Sequence, residues 1–440
     1  MSLPFELLLR VFSLLTPREV VKCRQVCTAW RDVSYDPSVW RLCYARFVRT
    51  FEDDPLIAAP DDQLPVDWEH LYTLLRTRET NWARGHSQYH LRWQAHTTDV
   101  LCLALCNHIL VTASTAAIRV WDLRASPRDR RPPFLEREMH DTPARIQIAR
   151  RHNKLLVVTI ALSGQVYVLT RIPDSSVLTK INTHLFTHKL ITRLIQIYNL
   201  KTLDHSGEIH LHDYISAVSL AEDRDENLVV ATYSGLVKVF DIEDGTMLFE
   251  MDMARHELTV VYTFLHPPNL LLATKPPMII TMHTPSRTPV SALTPPSITN
   301  DLSILPLWAA HRTHLYRSAL STLAHHPLLP TGVPVPDPDN PNQPAIRREC
   351  HVPGTVMALA CGGSRGRAAA VVEKRVDGIK GFHLYVYDPR DGIAAVREWR
   401  IEGGSADAWP VAVDEERIVV GRKRGEVAVC GFGVRDANGR

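Results

Sequence analysis

The chain has 440 residues, enough for two or three domains, and 45% of them are hydrophobic, as in ordinary globular protein. Its 50 basic and 48 acidic residues leave a formal charge of +2, so neither a nucleic acid nor a membrane is expected as the main partner. No apolar run approaches the roughly 18–20 residues of a membrane span; the longest, near Lys154–Leu162 and Leu270–Ala273, are strand-sized.

The first helix is the most informative element. Plotted at 100° per residue, Leu14, Leu7, Val11, Leu15, Leu8, Phe12, Phe5 and Leu9 sweep an apolar arc of roughly 220°, where a surface helix needs about 100°. Such a helix must be covered on two sides. A segment of about 45 residues has little chain with which to do so. A partner protein supplying the second apolar surface is the simplest answer. Thr16-Pro17-Arg18-Glu19 has the form of a capping box, and Asp36-Pro37 repeats the cap-then-proline signal. The expected helices are 4–15, 17–23, 24–34 and 37–47. The chain starts directly in the first of them, without the pattern of a cleavable leader.

This stretch resembles the F-box. It carries Leu3-Pro4, Phe12 and Leu15, Val26-Cys27, Trp30-Arg31, Asp36 and Trp40, six spaced features of that family, over about a tenth of the chain. Pro17-Arg18-Glu19-Val20 departs mildly, since Leu-rich sequence is common there. The resemblance implies docking to the Skp-family adaptor of a cullin–RING ubiquitin ligase. The adaptor-binding residues it implies are Leu3, Pro4, Leu7, Leu8, Val11, Phe12, Leu15, Val26, Cys27, Trp30 and Trp40.

After a polar break at Phe51–Gln63, Trp68, Leu71, Tyr72 and Leu75 fall at i, i+3, i+4 and i+7, which predicts a further helix. The order Trp68, Tyr72, Asn81-Trp82 and Gly85 is similar to the connecting segment of F-box proteins that carry a WD-repeat propeller, where it would act as a stem.

From about Tyr89 the period becomes alternating. Strand runs at 96–105, 109–114 and 118–122, closing on Trp121-Asp122, outline a propeller blade. This region resembles the WD-repeat family, with His96, Ser114 and Trp121 at the positions of its buried hydrogen-bond network. The turn Thr115-Ala116-Ala117 lacks the family's Asp, so the network is incomplete. Weaker runs follow at 145–148, 155–160 and 165–169; at 217–220, 227–233 and 236–241, with Phe240 in the place of Trp; at 260–265, 270–273 and 278–282; at 355–360, 368–373 and 382–388; and at 409–413, 417–421 and 426–430. Between 170 and 216, and between 303 and 326, the pattern gives no boundaries. Pro/Ser/Thr-rich 284–300 and Pro327–Pro344, with seven prolines, read as loops. About seven blades result, and the ring is expected to close by His90–Trp93 joining the strands at 409–430.

Motifs for chemistry are few. Gly362-Gly363-Ser364-Arg365-Gly366 matches a nucleophile elbow in letters, but strands on both sides make it a hairpin turn. His205, His210 and His212 lack a cysteine or acidic partner at fixed offset, and Cys102, Cys106 and His108 read as strand core and loop. No cofactor or metal is expected. None of the eight cysteines stands in Cys-x-x-Cys, and no Asn-x-Ser/Thr occurs, which fits the cytoplasm or nucleus. Basic residues at strand ends are the substrate-side candidates: Arg145, Lys374, Arg375, Arg422, Lys423 and Arg424. In the F-box/WD-repeat family, arginines so placed read phosphorylated peptides through bidentate pairing. Thr115 and Tyr233 occupy that place in the clearest blades, so such a pocket is incomplete.

The expected protein is multidomain: a small all-α F-box at 1–48, a helical stem at 49–88, and an all-β WD-repeat-like propeller at 89–440. Its expected role is the non-catalytic substrate receptor of a Skp–cullin–F-box ubiquitin ligase, which binds the adaptor and a protein substrate that the resemblance allows to be phosphorylated. The alternative is a propeller scaffold that binds the adaptor outside a ligase.

Overall fold

A computed structural model describes residues 4–49, 67–106, 108–123, 133, 135–138, 142–151, 154–161, 166–171, 193–199, 205–211, 215–220, 227–241, 246–266, 268–276, 278–286, 288–295, 307–311, 314–362, 365–376, 379–389, 392–395 and 410–433. The chain divides into two compact units, one of residues 1–89 with 431–439, the other holding 90–430.

The first unit is helical. Its elements are α1 (Phe5–Leu14), α2 (Pro17–Cys23), α3 (Thr28–Ser34), α4 (Pro37–Arg49) and α5 (Trp68–Ala83). The capping box before α2 forms in both directions. Thr16 Oγ1 accepts from the Glu19 N–H, and Glu19 Oε2 accepts from the Thr16 N–H at 2.7 Å. That interaction holds the Glu19 carboxyl below its ordinary range. Helix α3 begins at Thr28 and not at 24, because Arg24–Val26 form a turn and Cys27 is extended at φ −162°. The core joins Leu8, Phe12, Val20, Val33, Val39, Trp40 and Cys43. Helix α5 completes it: Tyr72 lies 5.8 Å from Trp40 and 5.5 Å from Phe47, ring centre to ring centre. Arg24 and Glu69 pair at 2.6 Å between the α2 end and α5. The segment expected as a stem therefore contributes to the helical core. At its other end Trp82 stacks on Phe432 at 3.8 Å, and Asn81 Nδ2 donates to the Phe432 carbonyl at 2.9 Å.

The second unit is all β, with seven sheets among the described residues. The first has strands Cys102–Cys106, Ile109–Ala113, Ala117–Asp122 and Leu135–Glu138. The second has Pro143–Arg151, Lys154–Ala161, Val166–Arg171, Arg193–Asn199 and His205–Leu211. The third has Ile215–Leu220, Asn227–Thr232, Leu236–Asp241 and Met247–Asp252. The fourth has Thr259–His266, Asn269–Lys275, Ile279–His283 and Thr288–Leu293. The fifth has Leu307–His311, His314–Ala319, Thr322–Pro327 and Arg348–His351. The sixth has Thr355–Gly362, Arg367–Val376, Ile379–Asp388 and Gly392–Ala395. The seventh joins Val411–Val413, Arg417–Gly421 and Glu426–Gly431 to Tyr89–Gln94 as outer strand, so the expected closure by His90–Trp93 is present. Within the second sheet, Val166–Arg171 and Arg193–Asn199 run parallel.

The first strands of successive sheets adjoin one another, and the seventh returns to the first. Between the fourth and fifth the link is Tyr262, whose hydroxyl accepts from the Ala310 N–H at 2.8 Å. This is a propeller-like ring, and the described turns between second and third strands lie on one rim. The segment 284–300 is not all loop: Thr288–Leu293 forms the fourth sheet's outer strand. Pro289 is tolerated there because an edge strand has no outward partner for its missing N–H.

In the first sheet the buried network exists through a different residue. Thr112 Oγ1 lies 2.8 Å from His96 Nε2 and accepts from Trp121 Nε1 at 2.9 Å. Ser114, expected in that role, accepts instead from the Ala116 and Ala117 N–H groups at 3.2 and 3.3 Å, closing the turn that lacks Asp. Phe240 replaces the Trp of the third sheet and is buried without a polar partner to satisfy.

Buried neutral histidines make this unit acid-sensitive. Burial, with Arg119 second, pushes His96 down to about 4; burial pushes His325 to about 3 and His326 to about 4. Unfolded, each titrates near 6.5. Below that value the unfolded chain takes up protons that the native chain refuses, so stability falls with pH by up to about 1.4 kcal/mol per histidine per unit. Asp414, raised by burial to about 7, opposes this between pH 7 and its ordinary carboxylate range. Three histidines outweigh one carboxyl. The melting temperature of the full chain is expected to drop between pH 6.5 and 4.5, and a constant or rising value would contradict this account.

Candidate functional site

Helix α1 divides its wide apolar arc between two destinations. Phe12 is 0% exposed and meets Trp30 edge-on at 5.7 Å, while Leu8 is buried beside it. Leu9, Leu15 and Trp30 are half-buried against the same core. Leu7, Val11 and Leu14, at i, i+4 and i+7, point to solvent, with Leu14 79% exposed. Pro4 extends this stripe, Phe5 is exposed on the far side of the buried Leu8 and Phe12, and Val21, Val26 and Cys27 add an exposed apolar edge at α2 and the turn after it. Val26 is 61% exposed. Trp40 faces inward and donates Nε1–H to the Ser34 carbonyl at 2.8 Å. Leu3 lies outside the described residues. So of the eleven residues expected at the adaptor, Pro4, Leu7, Val11, Val26 and Cys27 are on the surface, and Leu8, Phe12 and Trp40 shape it from beneath. Leu14 and Val21 are exposed as well. The signal for Leu14 was the arc itself, which contains it.

The basic candidates lie on three sheets. Lys374 and Arg375 end the second strand of the sixth sheet, and Arg375 is exposed. Arg422, Lys423 and Arg424 form the turn of the seventh. Arg422 pairs with Glu426 and is half-buried, which makes it part of the turn's own support. Arg424 is exposed in the left-handed region at φ 59°, where its N–H donates to Asp99 Oδ1 at 2.6 Å. Arg145 lies in Pro143–Arg151; its side chain is outside the described residues. The same rim exposes Tyr233 in the third sheet and Leu320 in the fifth, the latter at φ 51°. A bulky apolar residue in a turn is the sequence signal for both, but Leu320 fell where strand boundaries were unreadable. No helix among the described residues is long and apolar enough to cross a membrane.

Comparison with known proteins agrees with this division. The F-box-like family model matches residues 1–46. F-box only protein 17 of Rattus norvegicus is 58% identical over 46 residues, covering 10% of this chain and 18% of that protein. F-box only protein 17 of Homo sapiens is 46% identical over 65 residues, covering 14% and 23%. The chain thus spans about a fifth of the length of these curated relatives. Among solved structures, the β-propeller domain of Cps50 (Swd1) from Myceliophteria thermophila is similar with a TM-score of 0.53 at 11% identity, covering 78% of this chain and 98% of that one. The chain carries an N-terminal F-box-like domain followed by a β-propeller-like region of antiparallel sheets.

Proposed function

We propose that this chain is the substrate-recognition subunit of a Skp–cullin–F-box ubiquitin ligase. The observation that carries the reading is the outward half of α1: Leu7, Val11 and Leu14 are exposed in the domain that matches the F-box-like family, with Val26 and Cys27 at its edge. Burying such a stripe against a Skp-family adaptor removes large side chains from water at about 25 cal/mol per Å². The rim of the β unit receives a protein substrate. Tyr233 and Leu320 offer apolar contact, and Lys374, Arg375, Lys423 and Arg424, with Arg145, offer charge for an acidic or phosphorylated segment. The chain performs no bond chemistry; it raises the concentration of substrate near the ubiquitin-carrying enzyme in the cytoplasm or nucleus.

The test is capture of purified Skp-family adaptor and cullin by the full chain and by a Leu7→Asp, Val11→Asp, Leu14→Asp variant. Wild type is expected to retain both partners, and the variant neither, with its helix content unchanged because the three positions face water. Retention of adaptor without cullin would favour a scaffold outside the ligase. No capture by wild type would end the receptor reading. On the substrate side, Arg375→Ala with Arg424→Ala is expected to leave adaptor capture intact and to weaken retention of acidic peptides, read by peptide-array binding at two salt concentrations.

A further inference from the structure

Six Ser/Thr-Pro dipeptides occur in the chain, and three fall within residues 284–295: Thr284-Pro285, Thr288-Pro289 and Thr294-Pro295. We propose that Thr288 is a phosphorylation site for a proline-directed protein kinase, presented on the outer strand of the fourth sheet.

The fold separates Thr288 from the other four that lie within the described residues. Both the threonine and its proline are exposed, as is Val290 beyond them. They open the edge strand Thr288–Leu293, whose pairing with Ile279–His283 is broken by a register shift between Thr281 and Met282. An irregular edge detaches at low cost, which an enzyme that takes its substrate extended requires. Pro289 has no N–H to lose from the ladder. Among the described residues the Thr288 hydroxyl is engaged laterally, 2.6 Å from Ser286 Oγ, which lies 2.7 Å from His283 Nδ1. Thr284, by contrast, is half-buried, and both its N–H and its hydroxyl donate to the Pro268 carbonyl, at 2.9 and 2.8 Å. Thr294 is exposed, but Pro295 is buried, and the Thr294 N–H donates to Asn342 at 2.9 Å. Thr16 caps α2, so the residues after Pro17 are helical and cannot extend. Thr142 is half-buried ahead of a buried Pro143. Ser126 lies outside the described residues.

The reaction is a phosphoryl transfer. Thr288 Oγ1 bonds to the γ-phosphorus of ATP, the bond from that phosphorus to the β-bridging oxygen breaks, ADP leaves with the electron pair, and the hydroxyl proton passes to the kinase's base. The product carries nearly two negative charges beside Ser286 and His283.

The experiment incubates the full chain with ATP and, separately, a purified mitogen-activated and a cyclin-dependent kinase, and maps phosphate by mass spectrometry. A synthetic peptide of residues 280–298 is treated in parallel. The full chain is expected to be labelled at Thr288, with loss of this label in Thr288→Ala and retention in Thr284→Ala and Thr294→Ala. The free peptide is expected to be labelled at all three threonines, because the contacts that shield two of them are gone. A thermal scan shows that each variant is folded. An unlabelled full chain with either kinase, or labelling at Thr284 or Thr294 equal to that at Thr288, overturns the proposal.

Discussion

Phe12→Ala is expected to unfold the helical unit, whereas Leu14→Ala, two residues away on the same helix, is expected to leave it intact. Phe12 is fully enclosed and rests edge-on against Trp30, in a core that also holds Leu8, Val20, Val33 and Trp40. Truncating a buried Phe costs about 3–5 kcal/mol, because the transfer term and the residual cavity add. A unit of this size has little stability to spare, commonly about 5–15 kcal/mol in total for a whole domain. Leu14 is mostly in water, and its truncation is expected to move stability by less than about 0.5 kcal/mol. Limited proteolysis of the full chain reads the difference: rapid cleavage within 5–83 for Phe12→Ala, a wild-type pattern for Leu14→Ala. A protease-resistant Phe12→Ala would mean that the core does not depend on this ring. The pair also guards the adaptor experiment, since lost capture by a Phe12 variant would report unfolding and not docking.

The second large effect concerns a buried ion pair in the sixth sheet. Arg367 opens one strand and Asp388 ends the next, and Arg367 Nε donates to Asp388 Oδ2 at 2.9 Å with both side chains about 95% or more buried. Arg365 approaches the same carboxylate oxygen at 3.6 Å. Asp388→Leu would leave two guanidinium groups facing an uncharged, dehydrated neighbour. Breaking one side of such a pair typically costs about 3–5 kcal/mol. Arg367→Met in the same chain removes the more buried of the two stranded charges, so the double variant is expected to recover much of that loss. Denaturant midpoints for wild type, Asp388→Leu and the double variant give the comparison. A single variant as stable as wild type would show that the pair is solvated in solution.

Caps and prolines made the helical boundaries readable, because they act within four residues. The exception was α3, where the turn Arg24–Val26 carries no proline or glycine to mark it. The division of α1 was not readable. Leu7 and Leu8 are the same residue with opposite fates, and only the position of α3, α4 and Tyr72 decides which one is covered. The first sheet's network was legible in type but not in position. Thr112 and Ser114 share a strand face, and the reach of the His96 ring selects the former. The fifth sheet escaped the period rule because its interior holds Arg317, His325 and His326, polar residues that break the apolar alternation while being buried. The strand Thr288–Leu293 was masked by its proline, which excludes a central strand and not an edge.

The seventh sheet has a consequence for biosynthesis. Its outer strand, Tyr89–Gln94, leaves the ribosome early, while Cys430, which packs against His90, follows 340 residues later. At about 5–20 residues per second that is a wait of roughly 20–70 s, against microseconds for a hairpin to form. Through all that time the strand is an unpaired edge. Trp82 waits in the same way for Phe432. The sequence of the waiting strand suits that delay: His90 and Arg92 alternate with Leu91 and Trp93, which places polar groups along an edge that would otherwise recruit other nascent chains.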